Sequence, residues 1–230
     1  FTGLTGDKSA QRRQGQRELL QAIVELGNDQ GAQLLLLAGD LLDGQNAYYE
    51  TARALGEILA RSRAQVFISP GNHDPYRAAS PYRSVRFPQN VHLFASERME
   101  SIPLPDLGVC VHGAAFVAQE RESGLLTGFR APEDGMIHIM VLHGEVTEGF
   151  SRYNPIREQE IAESGLQYLA LGHVHSFDGI HRAGGTDYAY CGCPEGRGFD
   201  ECGRKGVLIG QVTSAGAELQ LHETGGYQYE

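Results

Sequence analysis

The sequence predicts an α/β protein built from two packed mixed β-sheets flanked by helices. Strand and helix signals alternate through the first half, and the second half is rich in strand signals with only one clear helix. The chain has 230 residues and is 41% hydrophobic, which is enough to bury a substantial core. We expect one domain over residues 1–230, because no linker, repeat or low-complexity tract divides the chain.

The first half has the rhythm of βαβ units. Apolar residues recur at helical spacing over residues 14–26 and again over residues 47–61. Leu34–Leu37 is a continuous apolar run, typical of a parallel strand that is covered on both faces, and Val66–Ile68 forms a second short strand. This order predicts a mostly parallel sheet with right-handed crossovers.

The second half predicts another sheet. One helix is expected around residues 156–164, and the remaining signals are strands. We predict strands at Val91–Phe94, Val109–His112, Ile137–Leu142, Tyr168–Leu171, Tyr188–Tyr190, Val207–Val212 and Leu219–His222. The two sheets are expected to pack face to face, with the helices on the outside, as four α/β/β/α layers.

Charge and hydropathy narrow the function classes. The chain carries 19 Lys+Arg against 29 Asp+Glu, a net charge of −10, which argues against a general basic surface for nucleic acid. A phosphate ligand would therefore have to be attracted locally. No apolar run reaches the roughly 18 residues of a membrane span, and no secretory signal pattern opens the chain. We expect a cytoplasmic location and no membrane partner.

Four short blocks of polar residues each follow an apolar run that reads as a buried strand. They are Gly39-Asp40, Gly71-Asn72-His73-Asp74, His143-Gly144 and Gly172-His173-Val174-His175. Taken singly, the first two are common in solvated or capped turns, and a lone histidine is more often bonded to a backbone carbonyl in the core. Together and in this order, they indicate side chains gathered at one sheet edge, as in a metal site.

The donor types fit divalent cations. Carboxylate, imidazole and amide oxygen hold Mn²⁺, Fe²⁺ or Zn²⁺, and two ions about 3.5–4 Å apart need a shared carboxylate, for which Asp40 is the candidate. His143, His173 and His175 supply imidazoles, and Asn72 supplies a neutral oxygen. The His-x-His spacing places His173 and His175 on the same side of the chain.

These blocks resemble the calcineurin-like metallophosphoesterase superfamily. That family's pattern opens with Asp-x-His, and the chain matches every block after it. The resemblance implies one metal site at Asp40, Asn72, His143 and His173, and another at Asp40 and His175 together with the Asp-x-His block. Asp7-Lys8-Ser9 does not replace that block, and the chain begins at Phe1 instead of Met, so we expect the missing ligands upstream.

Within the superfamily the chain is similar to the SbcD-like DNA repair exonucleases. The similarity lies in residues 36–43, 68–74, 168–175 and 193–201. It implies a nuclease with two divalent ions, Mn²⁺ foremost and Fe or Zn as alternatives. It also implies an SbcC-like ABC/SMC-type ATPase partner, a homodimer as an option, and a C-terminal capping region past Glu230. His73 is expected to steer or protonate the leaving oxygen, with Asp74 as its orienting partner.

Two other functions stay open. The first is a phosphodiesterase or phosphatase that acts on nucleotides or phosphoproteins, because such enzymes share most of these motifs. The second is a catalytically incomplete scaffold subunit.

Other histidines and cysteines lie outside the four polar blocks. His112 and His138 lie inside apolar strands and are read as satisfied core histidines. The four cysteines lack paired Cys-x-x-Cys spacing, so free thiols are favoured over a zinc knot: Cys110, Cys191, Cys193 and Cys202. Arg197 is a candidate contact for DNA or phosphate.

Overall fold

The computed structural model describes residues 6–42, 49–196 and 203–224, with side chains from residue 13 onward. Arg197 and Cys202 therefore lie outside the described residues. The helices are α1 (Gly6–Asp29), α2 (Tyr49–Leu59) and α3 (Glu158–Glu163). All three correspond to helices that the sequence predicts.

The first sheet contains three strands in the order β1 (Leu34–Leu37), β2 (Gln65–Ile68) and β3 (Val91–Leu93). The described strands of this sheet are all parallel, in agreement with the mostly parallel sheet that the βαβ order predicts. Each successive pair is joined by a crossover long enough to return the chain to the same end of the sheet, which is why the strands run in one direction.

The second sheet contains six strands, which are β4 (Glu100–Leu104), β5 (Val109–Gly113), β6 (Ile137–His143), β9 (Tyr168–Gly172), β10 (His181–Ala183) and β11 (Thr186–Tyr190). Their order is β10-β11-β9-β6-β5-β4, and only the two edge strands are antiparallel to their neighbours. This sheet is mixed, as predicted. The edge strands were missed, because β10 has three residues and β4 carries a proline.

Two smaller strand pairs lie outside these two sheets. A short parallel pair joins β7 (Glu145–Val146) to β8 (Pro155–Ile156), just after β6. A hairpin joins β12 (Gly206–Thr213) to β13 (Gly216–Glu223), and its apolar side chains pack against the core between the sheets. None of the helices in the described part of the chain combines the length and the hydropathy of a membrane span.

Three apolar clusters bind the layers together. Val24 of α1 and Leu55 and Leu59 of α2 pack against Val66 and Ile68 of β2, on the outer face of the first sheet. Side chains from both sheets meet in the middle cluster, which includes Phe67, Phe94, Val111, Val141 and Ala189. The third cluster covers the other face of the second sheet and includes Met140, Leu142, Ile161 of α3 and Leu169. This is the predicted α/β/β/α order.

The layers bring the four polar blocks to one edge. β1 and β2 are parallel neighbours in the first sheet, and β6 and β9 are parallel neighbours in the second. Each polar block begins at or just after the carboxyl end of one of these strands. Parallel neighbours end at the same edge, so each sheet presents two blocks side by side.

Candidate metal centre

The donor atoms of Asp40, Asn72 and His143 converge on one point. His143 Nε2 lies 2.9 Å from Asn72 Oδ1 and 3.4 Å from Asp40 Oδ2. Asn72 and His143 are buried, and the Asp40 side chain is largely covered. One residue is contributed by the end of β1, one by the end of β2 and one by β6, so both sheets contribute to the same centre.

The hydrogen bonding of His143 orients its Nε2, the candidate metal-binding nitrogen. His143 Nδ1 lies 2.8 Å from the carbonyl oxygen of Ala38, which can only accept a hydrogen bond. A ring that carries its proton on Nδ1 turns the Nε2 lone pair towards the oxygens of Asn72 and Asp40. Three lone pairs that face one another are the arrangement that a cation satisfies, so these residues fit the divalent ion that the motifs predict.

His173 lies beside this group. Its ring centre is 5.4 Å from that of His143, edge to face, and 4.9 Å from the ring of Tyr153. Burial and the neighbouring His143 lower the pKa of His173, which favours the neutral imidazole that a metal ligand requires. His173 also has a φ of 113° and Asp40 a φ of 55°, both in the left-handed region that residues other than glycine rarely adopt. Such backbone strain is concentrated at functional sites.

Asp74 ties together the loops after β1 and β2. Its Oδ1 accepts hydrogen bonds from the backbone N–H groups of Gly71 (2.7 Å) and Asp40 (3.1 Å). Its Oδ2 accepts from the backbone of Leu41 (2.8 Å) and Leu42 (3.1 Å) and from the Tyr82 hydroxyl (2.5 Å). Burial raises the pKa of Asp74, and the hydrogen bond from Tyr82 opposes that rise. Five donors thus surround the carboxylate that was expected to orient His73.

Small residues allow the backbone segments to meet at the centre. A Cβ on Gly172 would overlap the carbonyl oxygen of Ala38, so the end of β9 touches the segment after β1. Gly39 has a φ of 85°, and a Cβ there would lie 2.6 Å from His143 Nδ1. The glycines of the sequence motifs are therefore required by close approach as well as by turn geometry.

His73 and His175 occupy the exposed side of the centre. The backbone N–H of His73 donates to Asp40 Oδ1 at 2.9 Å, and its side chain is exposed. His175 is exposed as well, and its carbonyl oxygen accepts a hydrogen bond from Lys205 Nζ at 2.8 Å. The Lys205 side chain is buried, so this contact anchors the His173–His175 loop to the first residues before β12.

Sequence reasoning missed three residues that support the centre: Tyr82, Tyr153 and Lys205. Tyr82 follows a proline in a short 3-10 helix, Tyr153 lies in an irregular segment, and Lys205 is a single lysine in a glycine-rich stretch. None of them belongs to a motif or a periodic pattern. Only the fold brings them to the site.

The comparison with protein families agrees with the geometry. A family model described as "Calcineurin-like phosphoesterase" matches residues 5–177, which is most of the chain and contains every predicted ligand. The chain belongs to the calcineurin-like phosphoesterase family. The resemblance in the polar blocks is thus confirmed at the level of the family, and the mixed α/β layers are those of the metallophosphoesterase fold.

Individual relatives are distant. The chain is 29% identical over 188 residues to a Bacillus subtilis (strain 168) protein named "Uncharacterized metallophosphoesterase YhaO", covering 78% of this phosphoesterase and 45% of that protein. It is 24% identical over 201 residues to "DNA double-strand break repair protein Mre11" of Methanopyrus kandleri, covering 80% and 44%. The chain therefore spans less than half the length of these curated relatives.

A solved structure shares the fold. The protein TT1561 of Thermus thermophilus superposes with a TM-score of 0.52 at 18% identity, covering 76% of this phosphoesterase and 83% of that chain.

Proposed function

We propose that this phosphoesterase is a metal-dependent phosphodiester hydrolase that acts on DNA, of the SbcD type used in DNA repair. The observation that supports it is the convergence of Asp40 Oδ2, Asn72 Oδ1 and His143 Nε2 on one point beside His173. The name of the Methanopyrus relative supports DNA as the substrate. The family membership supports hydrolysis of a phosphate ester.

In this proposal the metal ligands are Asp40, Asn72, His143 and His173, with Asp40 shared and His175 directed to a second ion. Bound divalent cations, with Mn²⁺ as the first choice, would neutralise the charge that develops on the phosphate oxygens and make water a stronger nucleophile. The protein's part is to hold these donors in place before substrate arrives. The chain's net charge of −10 makes this local positive centre necessary for binding a phosphodiester.

His73 is the residue that we assign to the leaving oxygen. Its exposed side chain lies on the segment whose backbone N–H donates to Asp40 Oδ1, so it is close to the ligand without being enclosed. A proton donated from the imidazole to the departing oxygen would complete the in-line displacement. Asp74 is better assigned as a positioning residue, because its five hydrogen bonds hold the loops that carry Asp40 and Asn72.

The partners in this proposal follow the resemblance to SbcD. They are DNA, an ABC/SMC-type ATPase similar to SbcC, and a second copy of the phosphoesterase. The charge of the chain argues that an extended DNA-binding surface would have to come from such partners.

The decisive experiment is degradation of single- and double-stranded DNA in the presence of Mn²⁺. It uses the protein with any residues that precede Phe1 in its natural chain, and His143→Ala serves as the matched variant. We expect wild-type degradation that chelation abolishes, and a loss of at least about 100-fold in His143→Ala, since ligand removal disables the centre. His181→Ala, which changes a histidine away from the centre, should retain activity.

Two results would contradict the proposed function and favour one of the alternatives. Cleavage of a small phosphodiester without cleavage of DNA would make the protein a phosphodiesterase or phosphatase for small substrates. Failure to cleave either substrate, with metal bound, would favour the scaffold.

A further inference from the structure

A second group of side chains that can bind a metal lies in the second sheet. The group is on the face of that sheet that points away from the first sheet. Cys110 and His112 are two residues apart on β5, and His138 is the residue of β6 that pairs with Cys110. Their neighbours Val109, Val111 and Ile139 point into the core between the sheets. Because side chains alternate along a strand, Cys110, His112 and His138 point to the other face.

The three side chains converge. Sγ of Cys110 and one ring nitrogen of each histidine lie within 4.8 Å of one another, and all three residues are buried. His112 Nε2 lies 2.9 Å from His138 Nδ1, so the two rings present these nitrogens to each other. The edge of the His112 ring meets Phe129, which lies on the segment that covers this face.

The outer nitrogen of each ring is already oriented. His138 Nε2 is 3.0 Å from Asp134 Oδ1, and His112 Nδ1 is 2.8 Å from the hydroxyl of Ser101 on β4. A carboxylate or hydroxyl on the far nitrogen is the arrangement that orients histidines which bind metals. Burial and the neighbouring His138 lower the pKa of His112 to about 4, so this ring is neutral and keeps a lone pair.

From this geometry we infer that Cys110, His112 and His138 form a second metal site, separate from the candidate catalytic centre, that binds Zn²⁺. One thiolate and two imidazoles are the soft and borderline donors that Zn²⁺ prefers, whereas Mn²⁺ prefers oxygen. Two Zn–N bonds of about 2.0–2.1 Å at a tetrahedral angle set the nitrogens about 3.3 Å apart. The present separation of 2.9 Å must therefore widen by only about 0.4 Å.

The protons on the three side chains can be accounted for when Zn²⁺ binds. Asp134 accepts a hydrogen bond from His138 Nε2–H, so His138 Nδ1 is already a free acceptor within the pair. On binding, His112 moves its proton from Nε2 to Nδ1, where it donates to Ser101 Oγ, and the Cys110 thiol releases its proton to solvent. One proton leaves for each Zn²⁺ bound. Three protein ligands then leave the fourth position of the tetrahedron to water.

The test uses Co²⁺ as a spectroscopic substitute for Zn²⁺. A thiolate bound to Co²⁺ gives a charge-transfer band in the near ultraviolet, and the ligands proposed for the catalytic centre include no sulfur. We expect the metal-free wild-type protein to develop this band on titration with Co²⁺ and to lose it when Zn²⁺ is added. Cys110→Ala should remove the band, and His138→Gln should weaken Co²⁺ binding at this site by at least about 10-fold.

Two variants separate this site from the catalytic centre, near which Cys193 lies through its contacts with His175. The first carries Cys191→Ser, Cys193→Ser and Cys202→Ser, so that Cys110 is the only thiol. The second is His143→Ala. The inference requires the charge-transfer band to persist in both.

Three outcomes would overturn the inference. They are a wild-type protein that binds Co²⁺ without a thiolate band, a band that survives Cys110→Ala, or a band that disappears in the single-thiol variant while its circular dichroism is unchanged. The single-thiol variant, which leaves the buried site unchanged, decides the question even where Cys110→Ala or His138→Gln fails to fold. Failure of DNA cleavage would leave the inference intact, because its test does not involve activity.

Discussion

Gly172 is the residue at which the second sheet touches the segment that carries Asp40. Its contact with the Ala38 carbonyl places His173 next to His143, whose Nδ1 is bonded to the same carbonyl oxygen. A single hydrogen atom in place of a side chain therefore sets the distance between the two halves of the candidate metal centre.

Gly172→Ala should damage both folding and metal binding. The added methyl group meets a backbone carbonyl that cannot rotate away, so β9 or the Asp40 segment must shift. We expect a loss of about 1–3 kcal/mol in the free energy of unfolding, measured by urea denaturation, and weaker Mn²⁺ binding. Gly185→Ala is the control, because nothing lies within 4 Å of its Cβ position. Equal behaviour of the two variants would contradict this account of Gly172.

Tyr82→Phe isolates the role of Asp74 as the carboxylate that joins two loops. Removing the hydroxyl takes one donor from Asp74 Oδ2 and leaves the backbone donors of Leu41 and Leu42. Because the Tyr82 hydrogen bond lowers the pKa of Asp74, its removal should raise that pKa further. We expect the free energy of unfolding at pH 7 to fall by about 1.5–3 kcal/mol.

The matched control is Tyr49→Phe, in which the tyrosine is 57% exposed. Its free energy of unfolding should change by less than about 0.5 kcal/mol. If Tyr82→Phe changed the free energy of unfolding by as little, the Tyr82 hydroxyl would not be needed to stabilise the Asp74 carboxylate.

At the scale of elements, the segment after β6 is held by a buried asparagine. Asn154 Nδ2 donates to the carbonyl oxygen of His143 at 2.7 Å, and its Oδ1 accepts from the backbone of Leu125 at 2.6 Å. Asn154 has a φ of 54°, a conformation that asparagine tolerates better than most residues. It thus ties the end of β6 to the segment that covers the second sheet.

Asn154→Asp keeps the shape and removes the donor to His143. The variant places a carboxylate oxygen against a carbonyl oxygen in a buried position. We therefore expect the free energy of unfolding, measured by thermal or urea denaturation, to fall by about 1–3 kcal/mol. Asn28→Asp is a matched control, because Asn28 also joins two backbone groups, those of Arg61 and Arg63, but through hydrogen bonds that are exposed to solvent. A comparable loss in both variants would show that burial is not the cause.

The strands that carry the proposed metal ligands could be predicted from sequence, and the reason is physical. Leu34–Leu37 and Ile137–Leu142 are apolar or nearly apolar runs long enough to predict strands, and Gly39-Asp40 and His143 mark where the runs end. By contrast, β4 has the sequence Glu-Ser-Ile-Pro-Leu, and its proline next to polar residues resembles a loop. Its place at the sheet edge comes from pairing with β5, which is a tertiary contact.

The same limit applies within the candidate site. The residue types of the proposed metal ligands could be selected from sequence because cations restrict the choice to a few side chains. The position of Asp74 could not, because an aspartate that accepts hydrogen bonds from the backbone has the same sequence signature as one that contacts a neighbouring histidine. The structure gives it five donors from the loops and Tyr82.

At the scale of the whole molecule, the core between the sheets holds the two halves of the centre in register. Phe94 is fully buried there, with its ring centre 6.2 Å from that of Phe67, and it packs against Gly113 of β5. Phe94 also donates its backbone N–H to Ile68 of β2 at 3.0 Å. This one residue therefore contacts both sheets.

Phe94→Ala should destabilise the protein by about 3–5 kcal/mol, because the missing ring leaves a cavity between the sheets. Phe150→Ala is the control, since Phe150 is 76% exposed. Calorimetry on the two metal-free variants checks the prediction. A difference of less than about 1 kcal/mol between them would mean that the sheets can close over the cavity.

The separation of the proposed metal ligands along the chain has a consequence for folding kinetics. Asp40, Asn72, His143 and His173 come from four segments in two sheets, so their donor atoms cannot meet until nearly all long-range contacts have formed. A cation then has no partly assembled site to bind in the folding transition state. Metal should therefore slow unfolding while leaving the rate of folding almost unchanged, because the ion would bind only after the folding transition state.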